Sequence, residues 1–340
     1  MTGSGLVDID RLLPFLEANL PGFKGPATVE KFASGQSNPT FLLESASGRY
    51  VLRRKPPGTL LKSAHAVERE FRVMKALAAT DVPVPRVHCL CEDTSILGTA
   101  FFVMEFLDGR IFWDPALPEV AREDRAAYYG ELVRVLGRLA SLDPGAAGLG
   151  GYGKPGGYVE RQISRWIAQY RASETETIPD MEALITWLTQ RPAVEIAAAL
   201  THGDIRFDNV VFHPTAPKII GILDWELSTL GAPPVDMAYF CTMLRLPRSS
   251  QVKGLEGVDR RRIGVPSEAE MLTSFLAGSG FSGPVDWRFW MAFHAFRFAA
   301  ISQGVKKRRI DGNASSETAA GVGDMVTIAA KLGLAISQGG

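Results

Sequence analysis

The residues best equipped for chemistry are Asp204, Asn209 and Asp224. They stand in the runs His202-Gly203-Asp204-Ile205-Arg206-Phe207-Asp208-Asn209 and Asp224-Trp225-Glu226. Two apolar runs, 210–212 and 219–223, flank a turn containing Pro214 and Pro217. That pattern predicts a β-hairpin. Antiparallel pairing sets the start of one strand beside the end of the next. Asn209 and Asp224 are therefore expected at one edge, with Asp204 on the loop leading in. Two carboxylates and an amide are hard oxygen donors. They suit a divalent ion such as magnesium, plus one carboxylate for a proton.

The order His-x-Asp-x-x-x-x-Asn, then an Asp after a hairpin, is the layout of kinase catalysis. There the Asp orients and deprotonates an acceptor hydroxyl, while the Asn and the later Asp hold magnesium on the phosphates. With His-Gly-Asp at 202–204, Asp-Trp-Glu at 224–226 and Gly231-Ala232-Pro233-Pro234-Val235-Asp236-Met237-Ala238 following, the chain resembles the aminoglycoside phosphotransferase and choline kinase-like family of small-molecule kinases. The resemblance implies catalytic Asp204, metal-binding Asn209 and Asp224, and bracing roles for His202 and Asp236. It implies ATP, with GTP as the alternative, together with Mg2+. Within the family, Gly35-Gln36-Ser37-Asn38-Pro39-Thr40, Val51-Leu52-Arg53 and Arg69-Glu70-Phe71 look most similar to kinase-like domains associated with acyl-CoA dehydrogenases. Such domains are implicated in phosphorylating hydroxyacyl compounds.

These residues need a scaffold, and 340 residues leave room for two lobes. Strand-like segments at 28–32, 40–44 and 50–53 enclose a Gly- and Ser-bearing loop at 33–39. A strand, such a loop and a second strand can fold over phosphates with backbone N–H groups, here around Ser37 and Asn38. Arg53 stands where kinases place a lysine, with Arg54 and Lys55 as alternatives. A helix over 65–77 carries Glu70, which the resemblance makes the partner of the basic strand residue. A buried strand over 100–107 leads to the lobe boundary, where the resemblance puts adenine against the backbone at Glu105 and Phe106. Helices are expected at 8–20, 119–142, 158–172, 180–190, 192–199, 234–244, 267–278, 284–304 and 315–334. The expected class is α+β: a bilobal protein-kinase-like fold, with a small antiparallel-sheet N-lobe (1–107) and a larger, mainly helical C-lobe (108–340).

Composition narrows the partners. Lys plus Arg number 37 and Asp plus Glu 37, so no net basic field speaks for nucleic acid. No apolar run is long enough to span a bilayer. Cys89, Cys91 and Cys241 do not complete a zinc set and read as reduced thiols of a cytoplasmic protein. From Arg245 onward thirteen Lys or Arg face eight Asp or Glu. That balance suits an anionic small-molecule hydroxyl acceptor better than a polycationic antibiotic. Arg161 and Arg165, one helical turn apart, form either an anion grip or a solvated face. Glu226 is a further candidate on the acceptor side. Open alternatives are an aminoglycoside kinase, a choline- or homoserine-type kinase, and a nucleotide-binding regulator without turnover. The oligomeric state is not written in these residues.

Overall fold

A computed structural model describes residues 7–32, 38–57, 66–154, 156–191, 198–283, 285–311 and 322–340. The chain divides into two compact units. The first comprises Met1–Arg110 with Val211–Thr215 and Ile219–Ser228; the second holds the rest.

In the first unit, helix α1 (Ile9–Asn19) starts where the Asp8 carboxylate accepts from the Arg11 N–H at 3.3 Å. The strands are β1 (Ala27–Lys31), β2 (Thr40–Ser45) and β3 (Gly48–Arg54), followed by helix α2 (Val67–Leu77), strand β4 (Val87–Cys91), the single turn α3 (Thr94–Leu97) and β5 (Phe101–Glu105). They form one antiparallel sheet in the order β1-β2-β3-β5-β4. Register sets Phe41 opposite Leu52, and Leu52 opposite Val103. These three join Leu12, Leu16, Leu43 and Phe101 in one apolar cluster. Burying each such side chain is worth about 1.5–3 kcal/mol. Successive strand residues face opposite ways. Arg53, next to Leu52, therefore points to the other face of the sheet, where α2 supplies Glu70.

In the second unit the helices are α4 (Arg125–Ser141), α5 (Tyr158–Ser173) and α6 (Pro179–Thr189). Its strands are β6 (Ala199–Thr201) and β9 (Thr229–Gly231); the hairpin strands between them in the chain, β7 (Val210–Phe212) and β8 (Ile219–Ile222), lie almost wholly in the first unit. Helices α7 (Val235–Leu244), α8 (Glu268–Ser279), α9 (Trp287–Ile310) and α10 (Val322–Ser337) complete it. α9 is the central rod, packed by α10, α7 and α5. All ten residues of α7 are buried. The expected α+β kinase-like class is therefore met, with a small antiparallel sheet in one unit and helices dominating the other.

Several boundaries differ from the sequence reading. The helix expected from 119 begins at Arg125, after turns closed by bonds such as Ala127 N–H to Asp124 O at 2.9 Å. The Lys306–Arg309 cluster does not follow a helix but forms the last turns of α9, where cations suit the helix C-terminus. Strand β5 stops at Glu105. The helix expected at 192–199 lies largely outside the described residues, and its last position already belongs to β6. All three cysteines are free and buried.

Backbone contacts tie the hairpin to the rest of the first unit. Arg110 and Phe212 exchange backbone hydrogen bonds of 2.8 Å each way. A Cβ on Gly109 would stand 2.3 Å from the Phe212 carbonyl, so only glycine permits this approach. Ile222 N–H reaches the Pro83 carbonyl at 2.9 Å.

Candidate active site

The loop carrying Asp204 springs from a short antiparallel pair in the second unit. β6 aligns Thr201 with Thr229 of β9, and the Thr201 hydroxyl donates to the Thr229 carbonyl at 3.1 Å. Beyond it the chain must turn sharply, and Gly203 does so at φ +87°, a left-handed conformation that glycine adopts freely. The turn is clamped from α7. The two carboxylate oxygens of Asp236 accept from the His202 and Gly203 N–H groups, each at 2.7 Å. Asp236 is 5% exposed. Burial pushes its pKa up, against the pull of His202 and the two N–H donors. Hydrogen bonds to a charged group contribute about 1.5–3 kcal/mol each. His202 is fully buried, and its Nδ1 accepts from the Asp204 N–H at 3.2 Å.

Both oxygens of the Asp204 carboxylate are held. The Tyr239 hydroxyl donates to Oδ1. Asn209 Nδ2 donates to Oδ2 at 3.2 Å and to the Asp204 carbonyl at 2.8 Å. Arg206 Nε lies 3.6 Å from Oδ1, while its Nη2 pairs with Asp208 at 2.9 Å. Tyr239 is a functional neighbour that sequence reasoning passed over. The available signal was its place three residues after Asp236, on the same face of α7. Burial and the adjacent Asp204 carboxylate raise its pKa well above the phenol range, so it stays a donor.

A second cluster forms inside the first unit, around Arg53. The side chain is 8% exposed. Arg53 Nε contacts Glu70 Oε2 at 2.9 Å and Oε1 at 3.1 Å, and Nη2 contacts Asp224 Oδ1 at 2.5 Å. Glu226 Oε2 stands 3.8 Å away. Asn38 Nδ2 bridges the same acids, at 2.8 Å from Glu70 and 3.4 Å from Glu226. Burial works against the Arg53 charge, but the three carboxylates outweigh it and raise its pKa. Of the three basic candidates only Arg53 reaches Glu70. Arg54 is spent on the Thr99 hydroxyl and the Leu97 carbonyl, and Lys55 on Glu68. Glu226, read from sequence as an acceptor-side group, stands in this cluster instead.

Three acids around one guanidinium leave Glu70 crowded. Burial pushes its pKa up to about 7; Arg53 opposes this, and Asp224 and Glu226 add to it. Between the ordinary carboxyl range and pH 7, the folded protein holds a proton there that the unfolded chain releases. Stability from this group is thus fully present below the unfolded pKa and declines as pH rises to about 7. The slope approaches about 1.4 kcal/mol per pH unit. Glu70→Gln should flatten it, measured as the denaturant midpoint between pH 5 and pH 7. An unchanged slope would refute the assignment.

Asp224 sits at φ +62° and ψ +62°, two residues past β8. Asn209 stands just before β7. Among the described residues no group of three or more His, Cys, Asp or Glu forms a metal centre. Asn209 belongs to the second unit and Asp224 to the first; each offers a hard oxygen of the kind magnesium takes beside phosphates and water. The Asn209 nitrogen is committed to Asp204, so its carbonyl oxygen is the remaining ligand atom. Arg53 takes Oδ1 of Asp224 and leaves Oδ2.

The remaining sequence candidates fall elsewhere. Ser37 lies outside the described residues. The Glu105 N–H is committed to the Arg86 carbonyl at 2.8 Å, so it is not offered to a base. Arg49 covers the Phe106 ring at 4.3 Å. The anion grip read at Arg161 and Arg165 does not form. Arg161 donates to the carbonyls of Gly156 and Lys154, and Arg165 lies over the Trp166 ring at 5.4 Å. The glycine-rich approach to α5 leaves carbonyls in want of donors, and Arg161 supplies them.

Comparison with known proteins extends this picture. The model of the phosphotransferase enzyme family (APH) matches residues 28–272. Acyl-CoA dehydrogenase family member 10 of Mus musculus is 46% identical over 309 residues, covering 91% of this chain and 29% of that relative. The chain spans less than half the length of the first curated relatives it matches. A crystal structure from Ralstonia eutropha, provisionally named an aminoglycoside phosphotransferase, is 44% identical with a TM-score of 0.88, covering 97% of this chain and 98% of that one. Aminoglycoside phosphotransferase APH(4)-Ia, solved in a ternary complex with AMP-PNP and hygromycin B, shares the fold at 16% identity and a TM-score of 0.62, covering 97% and 98%. No helix among the described residues is long and apolar enough to cross a membrane.

Proposed function

The chain belongs to the phosphotransferase enzyme family and is a phosphotransferase with an alcohol group as acceptor, and from that premise we propose its donor, metal, acceptor class and residue roles. The donor is ATP, the metal Mg2+, and the acceptor a hydroxyl on a small, anionic, hydroxyacyl-type metabolite. The observation that carries the reading is the Asp204 carboxylate, fixed between the Tyr239 hydroxyl and Asn209 on a loop clamped by Asp236.

Asp204 receives the hydroxyl of the acceptor and accepts its proton as the oxygen attacks the γ-phosphorus, while the bond from that phosphorus to the β,γ-bridging oxygen breaks and ADP leaves. An acid held by two donors keeps one orientation, which is what positioning catalysis requires. Asn209, through its carbonyl oxygen, and Asp224, through Oδ2, would hold the metal. Magnesium, when bound, would neutralise charge on the nucleotide phosphates. Arg53, aligned by Glu70, lends its positive charge to the phosphates, and the loop residues Ser37 and Asn38 are the further proposed contacts. Phe106 marks the backbone that meets the base. His202 and Asp236 brace the loop. The nucleotide in the APH(4)-Ia complex and the charge balance of the C-terminal third support this reading.

A screen of ADP or GDP release tests it, with hydroxy acids, hydroxyacyl-CoAs, amino alcohols and aminoglycosides side by side. Turnover is expected with hydroxyacyl compounds and ATP, and should depend on Mg2+. Nucleotide binding without Asp204-dependent release would replace the enzyme by a regulator. Turnover with aminoglycosides alone would overturn the acceptor class.

A further inference from the structure

Among the described residues of the helical unit, one buried cation is not used by the chemistry above. Arg297 on α9 is 6% exposed. Its Nε has no hydrogen-bond partner, and among the described residues no carboxylate pairs with its guanidinium. Taking an unmatched charge out of water costs several kcal/mol, so buried charges are normally paired. Of the other buried arginines among the described residues, Arg53 pairs with acids, and Arg54 donates to the Thr99 hydroxyl and the Leu97 carbonyl.

The surroundings of Arg297 explain how it is tolerated but not what it binds. Its guanidinium lies 5.3 Å from the centre of the Trp166 ring and 5.8 Å from that of Tyr239. Aromatic faces attract a cation, yet they supply no oxygen for its N–H groups. Asp236 feels the Arg297 charge, but its oxygens already serve the His202 and Gly203 N–H groups. His294, one turn earlier on α9, is kept neutral by burial and by Arg297 itself. The Tyr239 ring that flanks Arg297 is the one whose hydroxyl binds Asp204. One tyrosine ring therefore separates an unmatched guanidinium from the carboxylate assigned to the acceptor hydroxyl.

We propose that Arg297 is the specificity-determining residue of the acceptor site, donating its N–H fork to the acyl oxygens of the acceptor, whether carried as a carboxylate or as an ester carbonyl. The proposal rests on the phosphotransfer reading, because Asp204 fixes where the hydroxyl lies. Trp166 and Tyr239 flank the guanidinium at 5.3 Å and 5.8 Å, which narrows where its fork can point before the acceptor arrives. The acceptor then carries its hydroxyl and its acyl group a tyrosine ring's length apart. An ammonium-bearing acceptor gains nothing there, since it would meet a like charge.

Three probes separate the sources of the acyl oxygen: β-hydroxybutyrate, its methyl ester, and a butanediol that keeps the hydroxyl and lacks the acyl group. Binding is read first without nucleotide, as quenching of tryptophan emission, with Trp166→Phe identifying the reporter. KM and kcat are then measured with ATP. Arg297→Gln should raise Kd and KM for the acid, the ester or both by at least about tenfold, as loss of a charge-assisted hydrogen bond does. The butanediol should be unaffected. Arg297→Lys should restore binding only in part, because a point charge cannot fork. Dependence of the acid alone selects a carboxylate; equal dependence of the ester selects a carbonyl. The proposal is overturned if no acyl probe binds wild type, or if Arg297→Gln shifts all three probes equally or none. Should that variant fail to fold, wild-type affinity for the acyl probes in Arg297→Lys overturns it. Arg297-dependent binding without phosphoryl transfer would sink the kinase reading alone; transfer indifferent to Arg297 would sink this inference alone.

Discussion

Asp204→Asn is expected to lower kcat by about a hundred- to ten-thousandfold, the range for losing a general base, while nucleotide affinity is retained. The amide keeps the shape of the carboxylate and still accepts from the Tyr239 hydroxyl. It cannot take a proton. Its NH2 group would face Nδ2 of Asn209, donor against donor, so one hydrogen bond is lost. That loss costs about 1 kcal/mol of stability, too little to unfold the loop that Asp236 clamps. Steady-state ADP release and nucleotide binding, measured together, check both halves. A variant turning over at a third of the wild-type rate would remove Asp204 from the catalytic role.

The second large effect concerns Asp224, where activity and stability should part company. Asp224→Gly is expected to abolish measurable transfer, because it deletes the proposed metal oxygen Oδ2. It should not lower the melting temperature. Asp224 occupies the left-handed region at φ +62°, a conformation that costs a non-glycine residue of order 1 kcal/mol and that glycine adopts freely. The substitution also thins the crowd of acids around Glu70. Against these gains stands the lost contact with Arg53, which keeps Glu70 at 2.9 Å. Calorimetry beside the ADP assay decides. A melting temperature several degrees below wild type would show that the Arg53–Asp224 pair is structural.

How far the sequence speaks depends on the range of the forces involved. The sheet of the first unit was legible because β2 and β3 carry short apolar runs, 41–43 and 50–52, about a Ser- and Gly-bearing turn. The helices of the second unit were legible by period, but their ends were not. Lys306–Arg309 looks like a break in the apolar pattern, and only the continuing hydrogen bonds of α9 show it to be helix. β6 and β9 contain three residues each, too few for any period, and they pair across a long loop. The two apolar runs set Asn209 just before β7 and Asp224 just after β8, where both stand. Spacing could not show that Arg53, rather than Arg54 or Lys55, reaches Glu70, because that depends on which face of β3 meets α2. Tyr239 and Arg297 were harder still. They sit in helices apolar on nearly every side, where a lone polar tip leaves no trace in a hydrophobic pattern.

The first unit is not a continuous stretch of chain: residues 211–215 and 219–228 belong to it. A ribosome that has made only the opening 110 residues has therefore not yet made all of that unit. The Phe212 partner of Arg110 and the Asp224 partner of Arg53 arrive roughly a hundred codons later, after α4, α5 and α6 have left the exit tunnel. Until then Arg53 has Glu70 but neither hairpin acid. Synthesis order thus makes completion of the first unit wait on delivery of the hairpin, and a stop codon placed between the two units as they read along the gene would yield neither.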